Sequence, residues 1–415
     1  MKPSYPFEHR RLKYAATIND EALTDETAAD YELQYVDIGN VDSSGKIHEI
    51  ATYRFEDAPS RARRIVRDGD VIISTVRTYL QAIAPIQAPS ENLIVSTGFA
   101  VIRPKRSELA ANFCKYILRE PAFLAEVEMR SVGVSYPAIN ASEIGDIRVH
   151  LPPLQRQNSI ADYLDRETTR LDELVAAKEW VLKLLAEKRR ALITRAVTRG
   201  LNPDAPLRDS DILWLGEIPE HWQTHRIALL FRERDERCEP ELPLLEVSIN
   251  AGVVLREFSD DRIEGTAADF NTYKVARKSD VVFNKMRMWQ GAVGIAPADG
   301  LVSPDYTVAE SLKLMSPAYA EQLFRTDMFS AECARHSHGI VWDRLRLYWD
   351  GFRDIVVPLP SKEEQCAIVA YIAAETAKLD ALRAATQRTI ALLKERRAAL
   401  IAAAVTGQVE ILEVA

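Results

Sequence analysis

Two stretches of this chain repeat apolar residues at alternating spacings of four and three. The first runs through Ile160, Leu164, Glu167, Leu171, Leu174, Lys178, Val181, Leu185, Lys188 and Leu192. The second runs through Ile368, Ile372, Glu375, Leu379, Leu382, Thr386, Thr389, Leu393, Arg396 and Leu400. A period of about 3.5 residues makes a narrow seam that another helix can cover. Neither run contains proline or glycine, and both are rich in Ala, Leu, Glu, Lys and Arg, so two long helices are predicted. Prolines precede each (Leu151-Pro152-Pro153 and Pro358-Leu359-Pro360), and Gly200 or Gly407 follows, as helix boundaries require. Ile160, Leu164, Leu171, Leu174, Val181, Leu185 and Leu192 would face Ile368, Ile372, Leu379, Leu382, Leu393 and Leu400. Glu167, Glu375, Lys178, Lys188 and Arg396 interrupt this seam; polar residues there fix register at some cost in stability, or face a partner.

The two runs are copies. Leu151–Thr198 returns without a gap as Leu359–Thr406, at a constant offset of 208 residues that also carries Gln157 to Gln365 and Asp172 to Asp380. The segments ahead of the copies, 1–150 and about 221–357, are largely unrelated in sequence yet patterned alike. Each alternates short apolar strands with helical stretches, which indicates an α/β or α+β domain. Strands are predicted at Asp70–Ser74 and Asp280–Asn284, followed by the basic, aromatic loops Thr75-Val76-Arg77-Thr78-Tyr79 and Lys285-Met286-Arg287-Met288-Trp289. Ser96–Val101 then parallels Ser303–Val308. The connector from Gly200 to about Trp222 holds Pro203, Pro206, Trp214 and Pro219, so it reads as a compact linker. A compact linker keeps the second variable segment near the end of the first helix, which makes the helices antiparallel. Helices of roughly 45 residues would be about 65 Å long, with the variable segments at opposite ends of a rod.

Composition narrows the class. The 415 residues leave room for two or three domains. No run of about 18 apolar residues occurs, so no membrane span is expected, and Met1–Pro6 lacks an apolar signal core. Cys114, Cys238, Cys333 and Cys366 are scattered, as free thiols are in a reducing cytoplasm. A net charge of −8 argues against indiscriminate binding to polyanions, but local basic patches decide nucleic-acid affinity. Arg61, Arg63, Arg64 and Arg67 come with no acid among them, and Lys274, Arg277, Lys278, Lys285 and Arg287 are opposed only by Asp280. Together with Thr75, Arg77, Tyr79, Asn284 and Trp289, these are the candidate DNA contacts. Arginine reaches guanine bidentately, lysine and arginine neutralise phosphates, and aromatic rings pack beside sugar or base. The competing reading for any one cluster is a solvated charged face.

The expected marks of catalysis are missing. There is no GxxxxGK[ST] loop for ATP phosphates and no Asn/Asp-Pro-Pro-aromatic tetrapeptide of an adenine amino-methyltransferase; Asn202-Pro203-Asp204 is not one. His336-Ser337-His338 lacks ligand partners at metal spacing, His221 reads as structural, and Asp260-Asp261 has no nucleophile or base pattern beside it. No catalytic residue and no metal site are expected.

The chain resembles the specificity subunit of type I restriction–modification systems. The resemblance rests on the helical repeats, on their entrances Leu151-Pro152-Pro153-Leu154-Gln155-Arg156-Gln157 and Pro358-Leu359-Pro360-Ser361-Lys362-Glu363-Glu364-Gln365, and on the connector phrase Trp214-Leu215-Gly216-Glu217-Ile218-Pro219-Glu220-His221-Trp222. It implies an α+β protein in which two mixed α/β target recognition domains are separated by two long antiparallel coiled-coil helices with a pseudo-two-fold internal repeat. The implied boundaries are domain one at 1–150, spacer helix one at 151–200, linker 201–222, domain two at 223–357, spacer helix two at 358–408 and a tail at 409–415. It also implies a non-catalytic DNA-binding subunit that reads a bipartite double-stranded target. The helices would act as a ruler for the unread gap and dock two methyltransferase subunits, with restriction/translocase subunits when present. This chain would hold no cofactor; S-adenosylmethionine, ATP and Mg would belong to the partner subunits. Two departures stand out: Gln155-Arg156-Gln157 replaces an acid-containing entrance, and the first domain lacks the Ile-Pro-Glu-His-Trp lead-in. Leu174, Val181 and Leu184, flanking the seam, predict poor solubility without partners. The rival class is an antiparallel coiled-coil scaffold whose globular ends bind proteins instead of DNA.

Overall fold

The computed structural model describes residues 7–256, 270–339, 345–409 and 411. It divides into two compact units, residues 1–179 with 387–415, and residues 180–386. Each long helix contributes half of its length to each unit.

The first unit contains β1 Glu8–Arg11, α1 Leu12–Ala15, β2 Ala16–Ile18, β3 Glu32–Val36, β4 Ala51–Arg54, β5 Ala62–Ile65, β6 Val71–Ser74, β7 Ile83–Pro85, β8 Leu93–Ser96 and β9 Phe99–Pro104. After these come α2 Ala111–Ile117, α3 Pro121–Arg130, α4 Ala141–Asp146, β10 Arg148–Leu151 and the start of α5, Leu154–Arg199. An antiparallel sheet of order β2-β9-β6-β7 faces a mixed sheet of order β4-β3-β8-β5, in which β3 and β8 run parallel. Strand β6 is buried on both sides, and the period of two in a strand sorts its residues. Ile72 packs with Val36, Val95 and Val101 between the sheets. Val71 and Ile73 face the other way, onto Phe113 and Ile117 of α2 and onto Ile160, Leu164 and Ile401 of the long helices. Each such aliphatic side chain contributes about 1.5–3 kcal/mol by leaving water.

The second unit repeats the plan. The connector forms the hairpin β11 Leu207–Asp209 and β12 Glu217–Pro219. Then come β13 Gln223–Arg226, β14 Phe231–Arg234, β15 Leu245–Ser248, β16 Gly252–Leu255, β17 Lys274–Ala276, β18 Val281–Asn284, β19 Val293–Ile295, β20 Gly300–Val302 and β21 Tyr306–Ser311. They are followed by α6 Pro317–Phe324, α7 Asp327–Arg335, α8 Trp349–Arg353, β22 Val356–Leu359 and α9 Lys362–Val405. The sheet order β14-β21-β18-β19 matches β2-β9-β6-β7, and β13–β22 matches β1–β10. Again Val282 turns to one core and Val281 and Phe283 to the other. The predicted strands at 70–74 and 280–284 are therefore β6 and β18, corresponding members of two like sheets.

Each unit holds its pair of half-helices antiparallel. In the first, Asp172 of α5 meets Arg397 of α9 at 2.9 Å and Glu179 meets Lys394 at 3.8 Å. In the second, Arg189 meets Asp380 at 2.7 Å. The 208-residue repeat turns the Asp172–Arg397 pair into Asp380–Arg189, so one ion pair is made twice with its helices exchanged. Gln157 and Gln365 also repeat: both are buried and fasten helix to domain in the same way. The Gln157 side chain accepts from the Ala110 amide at 2.8 Å and donates to the Glu108 and Pro152 carbonyls. Gln365 accepts from Ser316 at 2.7 Å and donates to Leu314 and Pro360.

The seam needs one correction. Ile160, Leu164, Leu171, Ile368 and Ile372 are buried, and Val181, Leu185, Leu192, Leu379, Leu393 and Leu400 partly so. Leu174 and Leu382, however, are 44% and 51% exposed. Thr168 and Thr376 take buried places beside Glu167 and Glu375, each hydroxyl donating to the carbonyl four residues back, at 2.6 and 2.7 Å. The two leucines are related by the 208-residue repeat, so the seam opens at the same point of each helix.

Candidate nucleic-acid interface

In both units the chain leaves the central strand into an exposed, basic turn. After β6, Thr75 is buried and its hydroxyl donates to the Gly98 carbonyl at 2.9 Å. Arg77 then adopts φ +54°, a left-handed conformation uncommon for a residue with a side chain, and a tight helical turn at Thr78–Leu80 carries Tyr79 outward. After β18, the buried Asn284 accepts the Met286 amide at 2.9 Å. The half-buried Lys285 donates to the Pro304 carbonyl at 3.4 Å, and burial lowers the pKa of its amine. Arg287 is exposed, and the Trp289 indole N–H donates to the Met286 carbonyl at 2.9 Å. Thr75, Arg77 and Tyr79 thus lie together on one loop, and Asn284, Lys285, Arg287 and Trp289 on its counterpart.

A hairpin not anticipated from the sequence leans on the first loop, and a like backbone exchange stands beside the second. Val132 and Ala138 exchange backbone hydrogen bonds at 2.9 and 3.0 Å, the Arg77 amide donates to Pro137 at 2.8 Å, and Ile139 donates to Thr75 at 2.9 Å. In the second unit His338 and Arg346 exchange bonds at 2.9 Å each, and the Leu347 amide donates to Lys285 at 2.9 Å. Both exchanges follow a serine that bonds back into the preceding helix, Ser131 to Val127 and Ser337 to Cys333, at 2.7 Å each. The recurrence of Ser-x-Gly at Ser131-Val132-Gly133 and Ser337-His338-Gly339 was the signal available for it.

The basic clusters fare differently from the loops. Lys274 is buried and reaches Glu233 at 3.5 Å and Asp235 at 3.4 Å. Arg277 binds Glu239, Glu236 and Asp299, and the bonds to Glu239 and Glu236 raise its pKa. The lone opposing acid expected, Asp280, is buried and accepts from Arg234 at 2.7 Å and from the Arg277 amide at 2.9 Å. The cluster is therefore balanced by acids from β14 and its following turn, which approach only when the sheet forms. Lys278 remains exposed. In the first unit Arg67 is paired with Glu21, and the Arg63 guanidinium lies over the Phe55 ring at 4.6 Å from its centre, 3.9 Å from Asp25. Arg61 is exposed and Arg64 half-buried. The Asp70 carboxylate, 2% exposed, takes two bonds of 2.9 Å from Arg103.

The remaining sequence candidates are structural. His221 bonds Glu364 at 2.9 Å, joined by the Trp222 indole N–H at 3.3 Å, and His336 bonds Glu332 at 3.2 Å. Asp260-Asp261 lies outside the described residues. Among the described residues no helix is long and apolar enough to cross a membrane.

A family profile described as the type I restriction modification DNA specificity domain matches residues 23–183, the first domain and the start of α5. The putative type I restriction enzyme MjaX specificity subunit of Methanocaldococcus jannaschii is 24% identical over 203 residues, 48% of this chain and 43% of that protein. The EcoBI specificity subunit of Escherichia coli is 22% identical over 317 residues, 69% of this chain and 64% of its own length. These matches thus span about half the length of the curated relatives. A solved chain described for complex assembly and conformational transition of the type I R-M system superposes with a TM-score of 0.76 at 22% identity, covering 98% of this chain and all of that one. Residues 23–183 are thus similar to the type I restriction modification DNA specificity domain, and the whole chain shares the fold of the solved type I R-M chain. That fold is the α+β arrangement expected, with two like domains and two repeated long helices.

Proposed function

We propose that this chain is the non-catalytic specificity subunit of a type I restriction–modification complex and binds a bipartite double-stranded DNA target, one half through each unit. The observation that carries this reading is that one sheet-and-loop design is built twice on one repeated pair of helices. The exposed loops differ, with Arg77 and Tyr79 in one and Lys285, Arg287 and Trp289 in the other. Within each loop, cations would hold phosphates while a few side chains meet base edges. Lys274 and Arg277, held by acids, leave the contact set; Arg61, Lys278 and the loop residues remain in it.

The helices serve a different partner. Leu184 and Leu392, and likewise Leu174 and Leu382, are exposed leucines related by the 208-residue repeat. Like surfaces suit two like partners, which we take to be two methyltransferase subunits, with restriction/translocase subunits joining where present. S-adenosylmethionine, ATP and Mg would be held by those subunits, and the chemistry would be theirs. A scaffold that binds only proteins would not need paired loops that differ this way on identical frames.

The deciding experiment is co-expression with a type I methyltransferase subunit from the same genome, followed by methyladenine sequencing of host DNA. A single bipartite motif with a fixed gap is expected. A soluble complex that adds no methylation would return the weight to the scaffold reading.

A further inference from the structure

The hairpin Val132–Ala138 presents a tip that no described residue of the first unit covers. Val134 is fully exposed, Val132 is 80% exposed and Tyr136 61% exposed. Exposed apolar side chains gathered on one short turn mark a contact surface. The turn is nonetheless held rigidly. Its ends are closed by the Val132–Ala138 exchange, and its side is tied to the β6 loop through Arg77 and Pro137. Gly133 turns the chain at φ +121°, which a residue with a Cβ rarely adopts. The Arg77 guanidinium lies over the Tyr136 ring, 4.8 Å from its centre, so the left-handed Arg77 and the hairpin position one another.

We propose that this hairpin is a sequence-reading finger of the first unit. Its Val134 and Tyr136 meet base edges in the DNA groove, and Arg77 is the residue that positions Tyr136. The inference rests on the proposed DNA-binding function and deepens it, because it names the element that reads one half of the target. Three observations lead to DNA in preference to a protein partner. The finger is hydrogen-bonded along its side to the loop that carries the exposed Arg77 and Tyr79, so a phosphate-seeking cation and apolar reading groups share one surface. The base of the hairpin recurs in the second unit with the same serine anchor and the same lateral hydrogen bond, Ile139 to Thr75 and Leu347 to Lys285. Between these fixed points the sequences diverge in kind and length, Gly133–Pro137 against Gly339–Leu345. A surface that docks the same subunit twice is expected to repeat, as the helix leucines do. A surface that reads two different half-sites is expected to keep its frame and change its tip. The chemistry suits this role: an apolar side chain in the major groove distinguishes thymine by its C5-methyl group, and an aromatic ring packs against base or sugar.

The test uses the full chain in complex with its methyltransferase subunits and duplexes built on the motif found by methylation sequencing. Affinity is measured for the intact motif, for a duplex with one half scrambled, and for one with the other half scrambled. In a Val134→Ser/Tyr136→Ala double variant, discrimination against scrambling of one half should fall about tenfold, the size of a lost base contact. Discrimination against scrambling of the other half should be unchanged, and Tyr136→Phe should retain most of the lost selectivity. Unaltered selectivity for both halves in the double variant would overturn the inference, as would an equal loss for both. A wild-type complex with no salt-dependent, sequence-selective DNA binding would instead overturn the proposed function.

Discussion

The two units hold the same carboxylate in the same place and reach it from different strands. Asp70 and Asp280 each sit at the start of the central strand, buried, and each accepts a backbone amide from three residues earlier, Arg67 or Arg277. In the first unit the guanidinium comes from Arg103 on β9. In the second, register places Glu310 where Arg103 would stand (Ile102 lies opposite Val71, Ala309 opposite Val281), and Arg234 on the neighbouring β14 supplies the cation. What is retained is the neutralised acid, and the residue that neutralises it is free to move. The loops beyond the strand reverse this rule, since backbone bonds are retained there and side chains change. Internal charge compensation is thus a constraint on the fold, while the exposed side chains carry the difference between the units.

Removing these acids should have the largest effect. Asp70→Ala leaves Arg103 without its buried bidentate partner, and a broken buried pair costs about 3–5 kcal/mol. Arg103 retains Asp20 at 2.8 Å and Arg234 retains Glu236 at 3.3 Å, so both variants should sit nearer the lower figure. Amide hydrogen exchange should show lost protection in β6 for Asp70→Ala and in β18 for Asp280→Ala. Unchanged exchange in both strands would mean that the pairs are not holding the sheets.

The buried glutamines come next. Gln157→Leu strands the Ala110 amide and two carbonyls, and Gln365→Leu strands the corresponding groups around Ser316. Each should cost about 1–3 kcal/mol, read as a lower melting temperature of the complex. If the costs differ by more than this range, the two helix-to-domain joints are not equivalent despite their matching bonds.

Much of this arrangement was legible because it is local. Helix length, the repeat, strands β6 and β18 and the kinship of the domains all follow from periodicity along the chain. The acidic partners of Lys274 and Arg277 were not legible, because Glu233, Asp235, Glu236 and Glu239 come into reach only when the sheet forms. The finger was missed because a turn of a few residues has no period, and its Ser-x-Gly recurrence is short. Leu174 and Leu382 are exposed although their spacing places them on the seam, because periodicity marks a helix face and not how closely the partner covers each point of it.

Binding measurements sharpen the distinction between paired and available cations. In the purified complex, Arg77→Ala or Arg287→Ala should weaken DNA binding and lower the slope of log affinity against log salt by about 1 for a cation that contacts phosphate. Lys274→Ala and Arg277→Ala should leave that slope unchanged and lower the melting temperature instead. A flattened slope in the latter two would show that their acidic partners release them on DNA.

The smallest expected effect concerns the helix entrances, where the units diverge. Glu364 bonds His221, Trp222 and the Ser361 amide, whereas its repeat counterpart Arg156 lies 5.9 Å from the centre of the Phe7 ring. Burial works to raise the Glu364 pKa, but the bonds from His221 and Trp222 outweigh it, so the carboxyl lies below its ordinary value. A carboxylate with a depressed folded pKa stabilises the fold at pH values above its unfolded pKa, about 4.3. That stabilisation is lost as pH falls through the folded value. Acidification from neutrality to about pH 3 should therefore release protection at the start of α9 in the wild type by more than in Glu364→Gln, whose amide cannot titrate. At neutral pH the variant should already be slightly less protected there, since it gives up the charge-assisted bonds. Equal acid sensitivity in the two proteins would show that Glu364 does not link the connector to α9 through its charge.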